Sequence, residues 1–244
     1  LVVLLLTGMP ISIALGMSVL AFLFAFSTIP VEIVSQRLFT GLDQFAIMAI
    51  PFFILSGTLL STGGVAARIV RFASALVGSM RGGMGMAAVL SCAFFAALSG
   101  SSPATVVAIG SIMIPAMVKQ GYPKKFAVGV LATSGGIGIL IPPSIVMIIY
   151  AVSTNTSVGQ LFIAGIVPGV LMALTLMLVT WLVAKKHDYP VSPSASLREI
   201  WQAFRDSMWG LFIVVIVIGG IYGGLFTPTE AAAVSAVYAF VVAV

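Results

Sequence analysis

Charged residues are scarce in this sequence. They make up 7% of its 244 residues, while 61% are hydrophobic; a soluble domain averages about 25% charged residues. Too few polar side chains are present to cover a globule of this size in water, so an ordinary soluble domain is excluded. Intrinsic disorder is excluded as well, because it requires low hydrophobicity and high net charge. We therefore predict that a lipid bilayer surrounds most of the chain.

Cysteine and histidine occur once each, as Cys92 and His187. A single cysteine excludes a disulfide framework and a multi-cysteine metal site, and a single histidine excludes a His-rich metal cluster. The net charge is +5, but the basic residues lie in short gaps between apolar runs. That pattern favours orientation of membrane helices by the positive-inside rule. We predict no nucleic-acid partner.

Long apolar runs predict an all-α, polytopic membrane protein. A bilayer-spanning helix needs roughly 20 apolar residues, and the candidates are 1–26, 45–60, 160–184 and 209–222. A kink is expected in the first of these at Gly8-Met9-Pro10. Two stretches of mixed polarity, 28–43 and 65–80, predict amphipathic helices at the membrane surface. A solvated connecting helix is the alternative for the second stretch.

Two shorter apolar runs, 83–98 and 105–118, flank the polar segment 99–104. At 1.5 Å per residue each run is roughly 20–25 Å long, which is short of the roughly 30 Å hydrocarbon core. Arg81 precedes the first run and Lys119 follows the second, so both ends are expected on the same side. We predict a re-entrant helical hairpin with its tip near the middle of the bilayer. Two spanning helices joined by an outside turn are the alternative.

The next apolar run, 126–153, is interrupted twice. Thr133 to Gly138 is rich in glycine, and Pro142-Pro143-Ser144 follows. Prolines remove backbone donors and glycines weaken a helix. Irregular backbone is tolerated at membrane depth only where protein or a watery cavity covers it. We therefore predict a broken helix that faces the hairpin tip.

A polar tip that faces a broken helix can bind ions. Free carbonyl and hydroxyl oxygens coordinate a hard cation, and helix N-termini attract an anion. The predicted Na⁺ ligands are Ser99, Gly100, Ser101, Thr133, Gly135, Gly136 and Gly138. The predicted substrate-binding residues are Ser101, Ser102, Pro103, Thr105, Pro142 and Ser144. Close packing of helices through small residues is the alternative.

No Asp or Glu lies inside a predicted core segment. Proton-coupled transporters usually carry an intramembrane carboxylate or histidine relay, so sodium is favoured as the coupling ion; a proton-coupled or channel-like anion conductor remains the alternative. An enzyme is not predicted. Ser101 would need a neighbouring base to act as a nucleophile, and His187 lies in a membrane-edge loop. We predict no catalytic residues.

The charge pattern also orients the helices. The helix that begins at Pro228 is expected to start on the opposite side from the first helix, as an inverted repeat requires. Residues 1–226 would form the first repeat and 227–244 the start of a second. Within the first, 1–80 would be scaffold helices, 81–155 the hairpin and broken helix, and 156–226 spanning and connecting helices. We expect the chain to continue at both ends.

Several strings resemble the large membrane subunit of tripartite ATP-independent periplasmic (TRAP) transporters. In the hairpin these are FFAALSGSSPAT (94–105) and GSIMIPAM (110–117). In the broken helix and beyond they are GILIPPSI (138–145), AGIVPG (164–169) and FTPTEAAA (226–233). The resemblance extends over nearly the whole chain, although the family's subunit is longer, with a second half similar in plan to the first.

The resemblance implies an elevator-type secondary transporter in the bacterial inner membrane, of which this chain would be the first half. It implies sodium-driven uptake of an organic anion. The implied partners are a periplasmic substrate-binding protein and a small membrane subunit, separate or fused. The family's first sodium and substrate region would lie at 99–105 and 135–143. C4-dicarboxylates are the favoured cargo; sialic acid or another carboxylate is the alternative.

Overall fold

The computed structural model describes residues 1–26 and 30–243, and every regular element in these residues is helical. Residues 1–44 and 45–244 form two compact units. The first unit contains three helices: α1 (Val2–Leu6), α2 (Ile11–Phe26) and α3 (Val31–Leu42). The helix predicted over 1–26 is therefore interrupted rather than kinked at residues 7–10. Gly8 there has a φ of 78°, which a helix does not accommodate. Of the predicted helix over 28–43, Thr28 lies outside the described residues.

The second unit contains eleven further helices in its described part, after a 3₁₀ turn at Phe45–Met48. These helices are α4 (Ala49–Thr62), α5 (Val65–Val77), α6 (Gly83–Ser99), α7 (Ser102–Lys119), α8 (Lys124–Gly135), α9 (Ile137–Leu140), α10 (Ile145–Thr154), α11 (Val158–Lys186), α12 (Leu197–Val214), α13 (Gly220–Tyr222) and α14 (Pro228–Ala243). A π-helical segment, Val215–Gly219, joins α12 to α13 without interruption.

The predicted polytopic membrane fold is confirmed. Four helices in the described residues are long and apolar enough to cross a bilayer: Phe45–Thr62, Ser102–Lys119, Val158–Lys186 and Leu197–Tyr222. A fifth span would be the bent pair Lys124–Leu140 and Ile145–Thr154, whose axes differ by 43°. Many residues of α11 remain exposed in the isolated chain, as expected for side chains that face lipid.

Helix α6 lies at the centre of the second unit. Nearly all of its side chains are buried, with only Leu90 and Phe94 partly exposed. Its small residues allow close helix approach; a Cβ on Gly85 would come within 2.7 Å of the Thr180 methyl on α11. The hairpin's first limb is therefore enclosed by neighbouring helices, which cover the irregular backbone at its end.

The second limb of the hairpin is longer than predicted. It begins at Ser102 rather than Thr105, so only Gly100 and Ser101 separate the two helices. The reason is local: Ser101 caps α7, and proline is compatible with the first helical turn, where no backbone donor is needed. At 18 residues α7 is about 27 Å long. The length argument for re-entry therefore applies to α6 alone, and the depth of the tip stays a prediction.

The predicted broken helix is present, but its main break lies later than expected. Ile141 and Ser144 have extended backbone, with ψ values of 123° and 125°. In contrast, the segment 133–138 remains helical except at Gly136. Thr133 is thus a helical residue rather than part of a break, and its hydroxyl donates to the Gly129 carbonyl over 2.9 Å.

The amphipathic pattern predicted over 65–80 forms α5. Its apolar face is buried, at Val65, Ala66, Ile69, Phe72 and Ala73. This face packs against α6 and α12. Helix α12 begins with a capping box in which Ser196 and Glu199 satisfy each other's backbone N–H groups.

Candidate functional site: the hairpin tip and the broken helix

The hairpin reverses direction within two residues. Gly100 has a φ of 62°, a left-handed conformation that glycine adopts without strain, and its N–H donates to the Ala96 carbonyl over 2.9 Å. Ser101 is extended and caps α7, with its Oγ 3.5 Å from the Ala104 nitrogen. The carbonyl end of α6 therefore lies beside the amide end of α7.

Two buried hydroxyls close this turn. The oxygens of Ser99 and Thr105 lie 3.1 Å apart, and the Thr105 hydroxyl donates to the Ser101 carbonyl over 2.9 Å. The Ser101 N–H in turn approaches the Ser99 Oγ at 3.4 Å. Because these groups satisfy one another, the first role of Ser99 and Thr105 is to hold the tip in shape. Each hydroxyl oxygen can still offer a lone pair to a further ligand.

The tip contacts the break directly. The Ile145 N–H donates to the Gly100 carbonyl over 3.0 Å. A Cβ on Gly138 would lie 3.1 Å from the Ser102 nitrogen. A side chain at position 138 would push these backbones apart by a few tenths of an ångström, and the left-handed φ of Gly100 favours glycine there. The predicted juxtaposition of the tip and the broken helix is present in the structure.

Ser144 caps the helix that leaves the break. Its hydroxyl donates to the Ile139 carbonyl over 2.8 Å, and its Oγ lies 3.5 Å from the Met147 nitrogen. Pro142 and Pro143 precede it, joined by a cis peptide bond, and both are buried. The start of α10 is thereby held against Gly100.

Four helix ends converge at this point. The N-termini of α7 and α10 meet the C-termini of α6 and α9, through contacts between 100–102 and 138–145. Helix N-termini carry partial positive charge and donate hydrogen bonds to anions, whereas C-termini favour cations. The arrangement can therefore hold a cation and an anion side by side without any charged side chain.

The structure divides the predicted glycine ligands between two faces. A Cβ on Gly135 would collide with the Val106 side chain and lie 3.5 Å from the Ser102 carbonyl, so Gly135 faces the hairpin. Gly136 instead lies near Met172 of α11, 3.4 Å from a Cβ position. Thr133 is exposed and lines a groove of about 280 Å³ with residues of α11. Gly136 and Thr133 are thus not brought to the tip.

The remaining predicted residues lie at the surface of the tip. Ser102 is half-buried at the first turn of α7, and Pro103 beside it is exposed. Within residues 1–26 and 30–243, no group of three or more His, Cys, Asp or Glu side chains could hold a metal ion. The oxygens that Ser99, Ser101 and Thr105 offer at the tip are neutral hydroxyls and carbonyls.

Sequence reasoning missed the contribution of α4. A Cβ on Gly57 would lie 3.0 Å from both Cα and Cβ of Ser99, so α4 packs against the base of the tip. Next to it, the buried Ser56 hydroxyl has no hydrogen-bond partner in the described part of the protein. A buried hydroxyl without a partner is costly, which makes Ser56 a candidate ligand. The signal was a Ser-Gly-Thr triplet, 56–58, inside an otherwise apolar span.

The single histidine lies at the end of α11. Its Nδ1 is 3.0 Å from the Val183 carbonyl, and its ring stacks on Tyr189 at 5.7 Å. His187 therefore completes a helix end, and its recorded contacts do not involve Ser101.

Comparison of the sequence with known proteins identifies a transporter family. A family model described as "Tripartite ATP-independent periplasmic transporter, DctM component" matches residues 1–244. The chain is 57% identical over 258 residues to the C4-dicarboxylate TRAP transporter large permease protein DctM of Rhodobacter capsulatus, covering 100% of this chain and 59% of that protein. It is 54% identical to the proteins of the same name from Vibrio cholerae and Pseudomonas aeruginosa, covering 97% and 94% of this chain. The chain spans 52% and 54% of the length of those two relatives.

Proposed function

The chain belongs to the DctM-component family of tripartite ATP-independent periplasmic transporters, and from that premise we propose that it forms half of a permease that imports C4-dicarboxylates. Its relatives of 54–57% identity carry that substrate in their names. The proposal assigns to this protein the substrate named for its relatives. The transport activity is proposed for the whole permease, because the chain spans only roughly half the length of those relatives.

The convergence of four helix ends at the tip is the observation that carries the proposal. A dicarboxylate needs positive potential and hydrogen-bond donors, and the starts of α7 and α10 offer both. In our proposal Ser101, Ser102 and Thr105, with Pro142 and Ser144 opposite, form one wall of the substrate site. Pro103 shapes the start of α7, where its ring leaves no donor unsatisfied.

Sodium is the proposed coupling ion. The ends of α6 and α9 present carbonyl oxygens beside the hydroxyls of Ser99 and Thr105, and hard cations prefer such ligands. In our proposal the Na⁺ site uses Ser99, Gly100 and Ser101, with Gly135 and Gly138 allowing the two backbones to approach. Na⁺ is a co-transported substrate in this scheme.

The proposed partners are a small membrane subunit and a periplasmic binding protein that delivers the substrate. The word tripartite in the family description supports three components. A cavity of about 570 Å³ lies on the face where α11 begins, at the other end of this helix from Lys185 and Lys186. Apolar residues form most of its lining, together with uncharged polar residues such as Ser157, Gln160 and Thr229. We propose that the binding protein meets the permease on this face.

The proposed location is the bacterial inner membrane, with the basic residues Lys119, Lys185 and Lys186 at the cytoplasmic side. The inverted repeat, its division at residue 226 and the elevator motion are also proposals. The charge pattern of the sequence, from which the first helix and α14 are expected to start on opposite sides, supports the proposed repeat.

Reconstitution of the full transporter tests the proposed function. Proteoliposomes that contain the full-length permease and its small subunit receive labelled succinate, with or without the binding protein and an inward sodium gradient. We expect uptake only when both are present. Uptake that persists without sodium and without the binding protein would support a proton-coupled or channel-like conductor instead.

A competition experiment tests the cargo. Unlabelled fumarate and malate should displace labelled succinate, whereas sialic acid should not. Displacement by sialic acid, or uptake of labelled sialic acid in place of succinate, would contradict the dicarboxylate assignment while leaving the transport proposal intact.

A further inference from the structure

A basic cleft lies between α5 and α12 and shares no lining residue with the tip or the break. It encloses about 700 Å³, and Arg68, Arg198 and Arg205 line it. Arg68 is half-buried on α5, whereas the two arginines of α12 are exposed. Three guanidinium groups therefore converge on one open space of a size that accommodates a small ligand or a lipid headgroup.

Neighbouring acids balance the charge of this cleft only in part, since three arginines line it with one carboxylate. Asp206 also lines it, but its carboxylate lies 3.6 Å from a guanidinium nitrogen of Arg71. Within the described residues, neither Arg68, Arg198 nor Arg205 has a carboxylate within ion-pair distance. Guanidinium groups bind phosphate through paired N–H donors and tolerate partial desolvation better than lysine does. The arginines of the cleft are therefore suited to bind a phosphate-like anion.

Two tryptophans give the cleft an apolar edge. Trp201 and Trp209 line it with 67% and 59% of their surface exposed. Tryptophan concentrates at the headgroup level of membranes, where one part of the ring is in contact with lipid and the N–H with water. Beyond Trp209 the exposed residues become apolar, at Phe212 of α12 and at Val215, the first residue of the π-helical segment. A ligand of this cleft thus meets basic groups at one end and an apolar helix face at the other.

We propose that the cleft binds an anionic phospholipid of the cytoplasmic leaflet. The arginines hold the phosphate, and the acyl chains lie along Trp209, Phe212 and Val215. A soluble phosphate ester would satisfy the arginines but leave the tryptophan and phenylalanine surface in water. Basic clusters beside membrane helices on the cytoplasmic side attract anionic headgroups, and the basic loops of this chain place the cleft on that side.

Fluorescence quenching by brominated lipids tests this proposal. The full-length permease is reconstituted in phosphatidylcholine with increasing fractions of brominated phosphatidylglycerol or, in parallel, brominated phosphatidylcholine. The fluorescence of the cleft is obtained as the difference in emission between the unmodified protein and the double variant Trp201→Phe with Trp209→Phe. We expect quenching by the brominated phosphatidylglycerol at a clearly lower mole fraction.

A matched pair of variants isolates the arginines. Arg198→Gln with Arg205→Gln should weaken the preference by about fivefold for each arginine removed. Lys185→Gln with Lys186→Gln removes the same charge from the exposed end of α11 and should leave the preference unchanged. Matching circular dichroism spectra and elution volumes establish that the variants are folded, as expected for exposed side chains.

The other outcomes overturn the proposal. An equal response to both brominated lipids, or a preference that survives in the arginine variant, would show that no anionic lipid site exists here. Relief of quenching by millimolar glycerol phosphate would assign the cleft to a soluble anion. Loss of the preference when the small subunit is added would assign the cleft to a protein interface.

Discussion

The carbonyl oxygen of Pro143 occupies the space that a side chain on Gly100 would need: a Cβ there would lie 2.9 Å from it. The left-handed φ of 62° adds a second constraint on the same residue. The contact between the hairpin tip and the break therefore depends on the absence of a side chain at position 100.

Gly100→Ala should lower the stability of the protein by about 1–2 kcal/mol from backbone strain alone, with a further loss from the contact with Pro143. Succinate uptake should fall more steeply than stability, because the start of α10 is displaced from the tip. Thermal unfolding in detergent and uptake in proteoliposomes measure the two effects.

Gly110→Ala is the control for this substitution. Gly110 lies inside α7, and the nearest atom to an added Cβ is the flexible end of Ile114 at 3.5 Å. Alanine there should be neutral or stabilise by up to about 1 kcal/mol. If Gly100→Ala and Gly110→Ala show the same stability and the same uptake, the tip does not need glycine at position 100. The contact with Pro143 would then not be required for transport.

Gly135→Ala should raise the sodium concentration needed for half-maximal uptake, because its Cβ would push Val106 and the start of α7. Gly136→Ala should change the sodium dependence little, because its Cβ would lie 3.2 Å from the Thr133 carbonyl and 3.4 Å from the flexible end of Met172, and neither contact involves the hairpin. Sodium titrations of uptake at fixed succinate distinguish the two. If both variants and the unmodified protein show the same sodium dependence, Gly135 does not contribute to the cation site.

Thr105→Val tests the buried hydroxyl at the tip. Valine keeps the shape but removes the hydrogen bonds that the Thr105 hydroxyl makes with the Ser99 hydroxyl and the Ser101 carbonyl, at a cost of about 1 kcal/mol. The Ser99 Oγ then keeps its contacts with Ser101 at 3.4 Å, and the Ser101 carbonyl still accepts from the Thr105 N–H. Thr133→Val removes a hydroxyl that is exposed and bonded only within its own helix, so it should change stability by less than about 0.5 kcal/mol. Chemical unfolding monitored by circular dichroism gives both values; a similar loss in the two variants would contradict the assigned roles.

Tyr122→Phe tests a link between two loops. The Tyr122 hydroxyl donates to the Pro190 carbonyl over 3.0 Å, and its ring packs against that of Tyr189 at a tilt of 58°, with the centroids 5.1 Å apart. Removal of the hydroxyl should cost about 1 kcal/mol, because the ring contacts remain. Tyr150→Phe, at a residue that is 57% exposed, should be neutral. Limited proteolysis of the loop at 187–196 should accelerate only in the first variant.

The hairpin and the break could be predicted because serine, glycine and proline are strong local signals in an apolar sequence. Their juxtaposition followed from one physical requirement, that unpaired backbone in a bilayer must be covered by protein. The residues at which the helices of the hairpin and the break begin and end could not be predicted in the same way. Ser102-Pro103-Ala104 resembles a loop in composition, yet Ser101 and Pro103 form a favourable helix start.

Other features depended on packing that local composition does not encode. Thr133 lies two residues before Gly135, yet α8 continues through it to Gly135, and its hydroxyl bonds back to the Gly129 carbonyl within the helix. Gly57 contacts Ser99 only because α4 packs across the end of α6. In 1–26 the residues Gly8-Met9-Pro10 predicted a kink, but they did not show that one helix ends at Leu6 and another begins at Ile11.

The contact of Gly57 with Ser99 has one more consequence. Within the described residues, no side-chain hydrogen bond connects α4 to α6, whereas the tip is tied internally and to α10. The contact between α4 and the tip is close, with Gly57 on one side and Ser99 on the other. Sliding along it breaks no polar bond, so a shear displacement here costs far less than any deformation of the tip itself.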